Sequence, residues 1–367
     1  MDTNMQNTPK ITKESKNKIR VEFDRTPLKE RLKAKFLNLY FFQQVAWIIF
    51  RMVLLVGISY VVLFPFISKI AGSFMSPEDF VDVTVRLIPK NFTLDIYKAV
   101  LFELDYWEAF FNTLLISLLC GLLQTFVCCL IGYGLAKFRF KGNSLVMLLV
   151  ILTMIVPHQT LQLSMFMHFR YFDVLGIMSF LSGGASIGFM PDSVNELLAG
   201  IQLFKLDDFA IPLTNTYWPL AILSVTGLAF KNGLYIFMLR QFFTGVPDAL
   251  EESAYIDGSG VFRTFFTIIL PLAIPMMITV FLFSFSWQWT DDFYTELFFT
   301  ANSKTVLMPD IIEIPASLKS VLFAAQADYN TAIRNTAGLM IILPLVVIYL
   351  FCQRFLVQGI ERSGLVG

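Results

Sequence analysis

This sequence predicts an all-α, polytopic membrane protein, and three observations carry the prediction. Several stretches of twenty or more residues hold no charge, which is the length a helix needs to cross the hydrocarbon layer. The chain is 56% hydrophobic and only 15% charged, whereas soluble domains carry about a quarter charged residues. Its 367 residues include 39 Phe, far more apolar surface than one soluble core would hide. Helices follow because, in lipid, every backbone N–H and C=O has to be satisfied within the segment. A formal net charge of zero gives no global attraction to nucleic acid.

Residues 1–44 form a basic arm with no apolar run of signal-peptide type near its start. Within it, residues 27–40 place Leu28, Leu32, Phe36 and Leu37 on one helical stripe, with Lys29, Arg31, Lys33 and Lys35 mostly off it. That pattern predicts an interfacial helix lying against membrane lipid. Residues 45–367 then make the transmembrane domain, with spans at about 47–68, 110–136, 144–167, 213–239, 264–290 and 335–356. The arm and the "KFRFKG" loop are basic, while residues 73–108 are rich in acids, so both termini are expected in the cytoplasm. Residues 174–191 are also uncharged and are an alternative seventh span. Their short length and central Ser-Gly-Gly-Ala-Ser favour instead an extracellular loop or re-entrant element, within an extracellular insertion over about 176–211. Cys120, Cys128, Cys129 and Cys352 sit in apolar runs without metal or disulfide spacing, and read as small packing residues. No metal site is expected.

Between the fourth and fifth spans the chain reads "PDALEESAYIDGSG", a cytoplasmic segment. Pro247 suits a first helical position, and Asp248, Glu251 and Glu252 then lie near the positive end of the helix dipole. Leu250 and Ala254 share a face, Gly258 stops the helix, and Ser259 is placed to cap the next one. A roughly three-turn acidic helix over about 247–258 is expected, with its carboxylates facing something basic.

Glu252, Ser253, Ala254, Gly258, Ile268, Leu270 and Pro271 fit the pattern E-A-A-x3-G-x9-I-x-L-P, with Ser253 in place of the first alanine. In this the chain resembles the inner-membrane permeases of binding-protein-dependent ABC importers, and "LEESAYIDGSG" resembles their carbohydrate branch. "LRQFF" at 239–243 is similar to the segment that precedes the motif in sugar permeases, "IVPHQTLQLSMF" at 155–166 resembles the family's pore helix, and the tail "QRFLVQGIERSGLVG" resembles the ending of the maltose-type G subunit. The resemblance covers about 45–175 and 214–367. It implies the type I importer fold, and it makes Glu251, Glu252, Ser253, Ala254, Asp257 and Gly258 a coupling helix docking on an ATPase. It also implies a second, F-type permease subunit, a dimeric ATP-binding subunit and an extracellular solute-binding protein. No phosphate-binding loop of the G-x-x-x-x-G-K-[ST] kind occurs. ATP and Mg are therefore expected to be used by the partner, with no cofactor bound by this chain.

Polar residues inside spans are costly and default to functional candidates. His158, Gln159 and Gln162, the first and last on one helical face, offer neutral donors and acceptors suited to sugar hydroxyls. Interhelical bonding is the alternative. Lys231 and Asn232 pose the same choice. Asp291 and Asp292, after Trp287, Gln288 and Trp289, close the fifth span near the outer mouth. Together these residues are the candidate substrate pathway. The function expected is a permease subunit of an ATP-driven carbohydrate importer working by alternating access. The alternative is import of another solute, such as a polyol phosphate or polyamine. A membrane-embedded enzyme would need a clustered Asp/Glu/His site, for which two histidines give little material.

Overall fold

The computed structural model describes residues 39–172, 212–229, 231–300, 305–319 and 326–362. The interfacial helix expected over 27–40 lies outside these up to residue 38. The insertion expected over about 176–211, and the alternative seventh span, lie outside them altogether. The described residues are helical, with no strand among them and one isolated antiparallel bridge, Met75 to Phe92.

Contacts divide the chain into two units, Met1–Ser68 and Lys69–Gly367. The first contains most of helix α1, Leu39–Gly72, which exposes large apolar side chains from Phe42 to Phe66. A continuous apolar surface of that extent fits lipid rather than water.

In the second unit, α2 (Pro77–Val81) and α3 (Asp95–Glu103) precede α4 (Tyr106–Lys137). Then come α5 (Asn143–Ile155), a 3₁₀ turn (His158–Leu161) and α6 (Gln162–Arg170). After the undescribed stretch follow α7 (Trp218–Thr226), α8 (Asn232–Thr244) and α9 (Ala249–Ile256). Helix α10 (Val261–Trp289) includes a π turn at Phe265–Ile269, just ahead of Pro271. Last are α11 (Phe293–Phe298), α12 (Ala316–Lys319) and α13 (Gln326–Arg362).

Helices α4 and α10 are the centre of this unit. Toward one end they pack with α8 through Cys128, Tyr133, Tyr235, Leu239, Phe243 and Met276. Toward the other they pack with α3 and α13 through Val100, Tyr106, Trp289, Tyr329 and Ile333. The close approaches are made at glycines, as expected where lipid supplies no hydrophobic drive and tight packing has to hold the helices. A Cβ on Gly132 would meet Leu239 Cβ at 2.9 Å, and one on Gly121 would meet Phe281 at 3.1 Å. All four cysteines are free; Cys128 and Cys129 are buried in the first of these layers, and Cys120 is buried in a third cluster with Phe169, Leu220 and Leu223.

Among the described residues four helices are long and apolar enough to span a membrane, or five if the α5–α6 pair is one broken span. Two expected spans therefore need correction. The third is not one straight helix over 144–167: it bends by 93° after Ile155. Pro157 has no N–H to give and forces Val156 into an extended conformation (φ −67°, ψ 122°), ending α5. The fourth is two shorter helices. Gly227 takes φ +75°, closing α7 where most other residues would be strained.

Candidate functional site

The acidic segment forms α9, two turns rather than three. Asp248 takes the cap position and Pro247 precedes it, so the proline is not the first helical residue. The other end is a Schellman closure. Gly258 adopts φ +82°, its N–H donates to Tyr255 O at 3.0 Å, and the N–H of Ser259 donates to Ala254 O at 2.9 Å. Gly260, not Ser259, caps the following helix; the Ser259 hydroxyl instead bonds Thr264 Oγ1 at 3.1 Å.

The faces of α9 also differ from expectation. Glu251 and Ala254 are buried, while Leu250 is 37% exposed. Outward face Glu252, Ser253, Tyr255, Ile256 and Asp257, with Ile256 86% exposed. The two adjacent glutamates have thus parted company. Glu251 Oε1 accepts a 2.8 Å hydrogen bond from the Tyr133 hydroxyl, and its Oε2 lies 3.9 Å from Lys137 Nζ. The Lys137 ammonium also donates to Val246 O and to Asp248 Oδ1, both at 2.6 Å. That ammonium, foremost among the causes, holds the exposed Asp248 carboxyl below the ordinary range. The something basic that the acidic helix faces is therefore partly this chain's own α4.

The candidate pathway residues fall into separate groups. The break at Pro157 puts His158 on the 3₁₀ turn and Gln162 at the start of α6, so they do not share one straight helical face. His158 is half-buried, its ring edge-on to Phe293 at 5.2 Å, and it lines an apolar cavity of about 490 Å³ with Leu152, Met165, Leu223 and Tyr294. Gln159 and Gln162 are exposed. Lys231 and Asp291 share a small polar cleft with Gln124, Ser284, Trp287 and Gln288. There the Lys231 ammonium sits 4.1 Å from the centre of the Trp287 ring, a cation–π contact. Asp291 Oδ2 accepts the N–H of Tyr294 at 2.9 Å and so helps start α11, while Asp292 is exposed.

Asn232 is fully buried, and neither polar atom of its side chain has a hydrogen-bond partner among the described residues. An unpaired buried amide costs about 1–3 kcal/mol. Asn232→Leu, of similar size, is therefore expected to leave the melting temperature of the purified protein unchanged or higher. A clear fall in melting temperature would show that the amide is bonded in the folded protein.

Sequence reading missed Gln124, Tyr133 and Lys137. Gln124 joins three helices: its Oε1 accepts from Ser284 Oγ at 2.7 Å, and its Nε2 donates to Ser224 Oγ at 3.2 Å. A glutamine in the middle of an uncharged run was the available signal. For Lys137 the signal was a cation at the end of that run.

Comparison with known proteins agrees with this architecture. A family model described as "Binding-protein-dependent transport system inner membrane component" matches residues 129–362. The arabinooligosaccharides transport system permease protein AraQ of Halalkalibacterium halodurans is 24% identical over 84% of this chain and 93% of its own length. The galactooligosaccharides transport system permease protein GanQ of Bacillus subtilis is 24% identical over 87% of this chain and 96% of its own. Among solved structures, one described as a bacterial ABC transporter involved in the import of the acidic polysaccharide alginate aligns with a TM-score of 0.58. It has 17% identity and covers 90% of this chain and 99% of the matched chain.

Proposed function

Because the chain belongs to the family of binding-protein-dependent transport inner-membrane components, we propose that it is one half of the channel of an ATP-driven importer for an oligosaccharide. The oligosaccharides named for its relatives favour a carbohydrate over a polyol phosphate or polyamine. The chain is a transport component and not an enzyme; hydrolysis is assigned to a separate, dimeric ATPase. A second permease subunit completes the channel, and an external solute-binding protein delivers the sugar. The membrane is the bacterial cytoplasmic membrane.

Six crossings with both termini in the cytoplasm remain the preferred topology. Support comes from four long apolar helices, the α5–α6 pair as a broken third span, and α7 with α8 as a divided fourth. Discontinuous helices are a recurrent device in transporters, because they expose backbone and polar side chains within the membrane. The basic loops on one side and acidic residues 73–108 on the other fit the same orientation.

The observation that carries the coupling role is the outward face of α9, where Glu252, Tyr255, Ile256 and Asp257 are exposed beside one another. An exposed isoleucine flanked by acids suits a groove with an apolar floor and a basic rim. ATP binding would draw the ATPase dimer together, carry α9 with it, and rock the spans between inward- and outward-open states. Lys231, Trp287, Gln288, Asp291 and Gln124 are assigned to the sugar's path. The polar side chains would pair with hydroxyls and the indole would pack against a ring face.

The test is co-expression with an ATPase subunit and a second permease subunit of a carbohydrate importer from the same organism, followed by uptake of labelled oligosaccharides into vesicles loaded with ATP. Co-purification with the ATPase and ATP-dependent uptake are expected. A chain that purifies alone and moves no sugar in any such combination would overturn the assignment.

A further inference from the structure

Four side chains tie α9 to the end of α4, Tyr133 and Lys137 from α4 and Asp248 and Glu251 from α9 and its cap. Tyr133 and Lys137 are one helical turn apart on α4, so both point to the same side. Tyr133 donates to Glu251 at 2.8 Å, and Lys137 bonds Asp248 and the carbonyl of Val246, each at 2.6 Å. The Lys137 side chain is 6% exposed and that of Glu251 9% exposed, with 3.9 Å between ammonium and carboxylate. Charges so far out of water persist only when paired, and this pair spans two elements 114 positions apart in the chain.

The setting is rigid as well. The Tyr133 ring packs on Phe138, Phe243 and Phe265, with centroids 5.6, 5.5 and 4.7 Å away. One residue earlier, Gly132 brings α4 against the backbone of α8, where an added Cβ would come within 3.0 Å of Arg240 N. The chain enters α9 from α8 through residues 245–248, a short connection able to hinge. Bonds from Lys137 close that hinge at Val246 and Asp248, and the bond from Tyr133 closes it at Glu251.

We propose that Glu251 is not a docking residue but a strut. Through Tyr133 and Lys137 it makes the second span move with α9, while the neighbouring Glu252 faces the ATPase. This rests on α9 being the docking helix. Without the strut, α9 would still dock, but its displacement would be absorbed at residues 245–248 and the second span would lag. Glu251, Tyr133 and Lys137 are positioning residues: they touch neither ATP nor sugar.

The test uses the whole complex in proteoliposomes, reading ATPase-subunit binding and sugar molecules imported per ATP hydrolysed. Glu251→Ala and Tyr133→Phe are expected to keep binding within about twofold and to lower the import ratio at least tenfold and threefold respectively. Lys137→Arg, which keeps the charge and the reach, should restore most of the ratio lost in Lys137→Met. Because Lys137→Met strands a buried carboxylate and risks misfolding, Tyr133→Phe, which removes one oxygen, is the decisive variant. A Glu251→Ala protein that loses the ATPase subunit as Glu252→Lys does would return Glu251 to the docking face. An unchanged import ratio in both Glu251→Ala and Tyr133→Phe would remove the strut. If Glu252→Lys also binds and transports normally, the docking reading itself fails, and the two failures are told apart.

Discussion

Glu252→Lys is expected to lower binding of the ATPase subunit more than tenfold and to abolish ATP-driven uptake, while the chain still folds and inserts. Glu252 is exposed on α9, and no hydrogen bond or ion pair joins its carboxylate to another described residue, so the substitution removes nothing internal. On the proposed docking role of α9, what it removes is the charge offered to the ATPase. Hydrogen bonds to a charged group contribute about 1.5–3 kcal/mol, and about 1.4 kcal/mol is already a factor of ten in affinity. Reversal of sign adds repulsion from whatever cation stood opposite. Ile256 supplies the independent arm. It is 86% exposed, and burying such a side chain in a groove is worth about 1.5–3 kcal/mol. Ile256→Ser is therefore expected to weaken docking to a similar degree without touching charge. Detergent-solubilised complexes analysed by size exclusion and by titration with the purified ATPase read both effects. Normal binding by both variants would show that this face meets nothing.

What was legible in the sequence follows from what each signal is made of. Spans were readable because an uncharged run of twenty residues has few destinations other than lipid, and α4, α10 and α13 extend three to nine residues beyond most of their expected ends. The breaks between α5 and α6 and between α7 and α8 were not recognised, since hydropathy is blind to them. Val156, Pro157 and Gly227 carry no charge, and only their backbone restrictions, visible in principle, end the helices there. Gly258 was placed correctly because a helix stop is a local requirement. Leu250 and Ala254 were expected to share one face, but Ala254 is buried while Leu250 is exposed. Tyr133 and Lys137 supply polar partners for Glu251, so the buried position goes to the acid, and those partners come from a helix more than a hundred residues earlier. No local pattern encodes that pairing.

Gly132→Val is expected to cause the largest loss of folded complex of any single substitution on α4. The Cβ of any residue here would lie 2.9 Å from Leu239 Cβ and 3.0 Å from Arg240 N. Carbon atoms settle at about 3.5–4.0 Å, and neither obstacle is the far end of a flexible side chain, so the helices themselves have to separate. Overpacking of this kind costs about 1–3 kcal/mol where neighbours can adjust, and backbone facing backbone adjusts least. The separation would also fall one residue before Tyr133 and shift α8, which leads into residues 245–248, so the support of α9 is lost with it. Gly134, two positions on, is the internal control. A Cβ there would meet only Phe138 Cδ2, at 4.0 Å, and alanine is favoured over glycine in a helix by about 1 kcal/mol. Gly134→Ala should therefore match or exceed the parent in melting temperature, while Gly132→Ala falls below it and Gly132→Val yields little monodisperse protein. Fluorescence-detected size exclusion after a heating series measures all three. Equal losses at positions 132 and 134 would mean that the tight approach of α4 to α8 is not what holds this end of the bundle together.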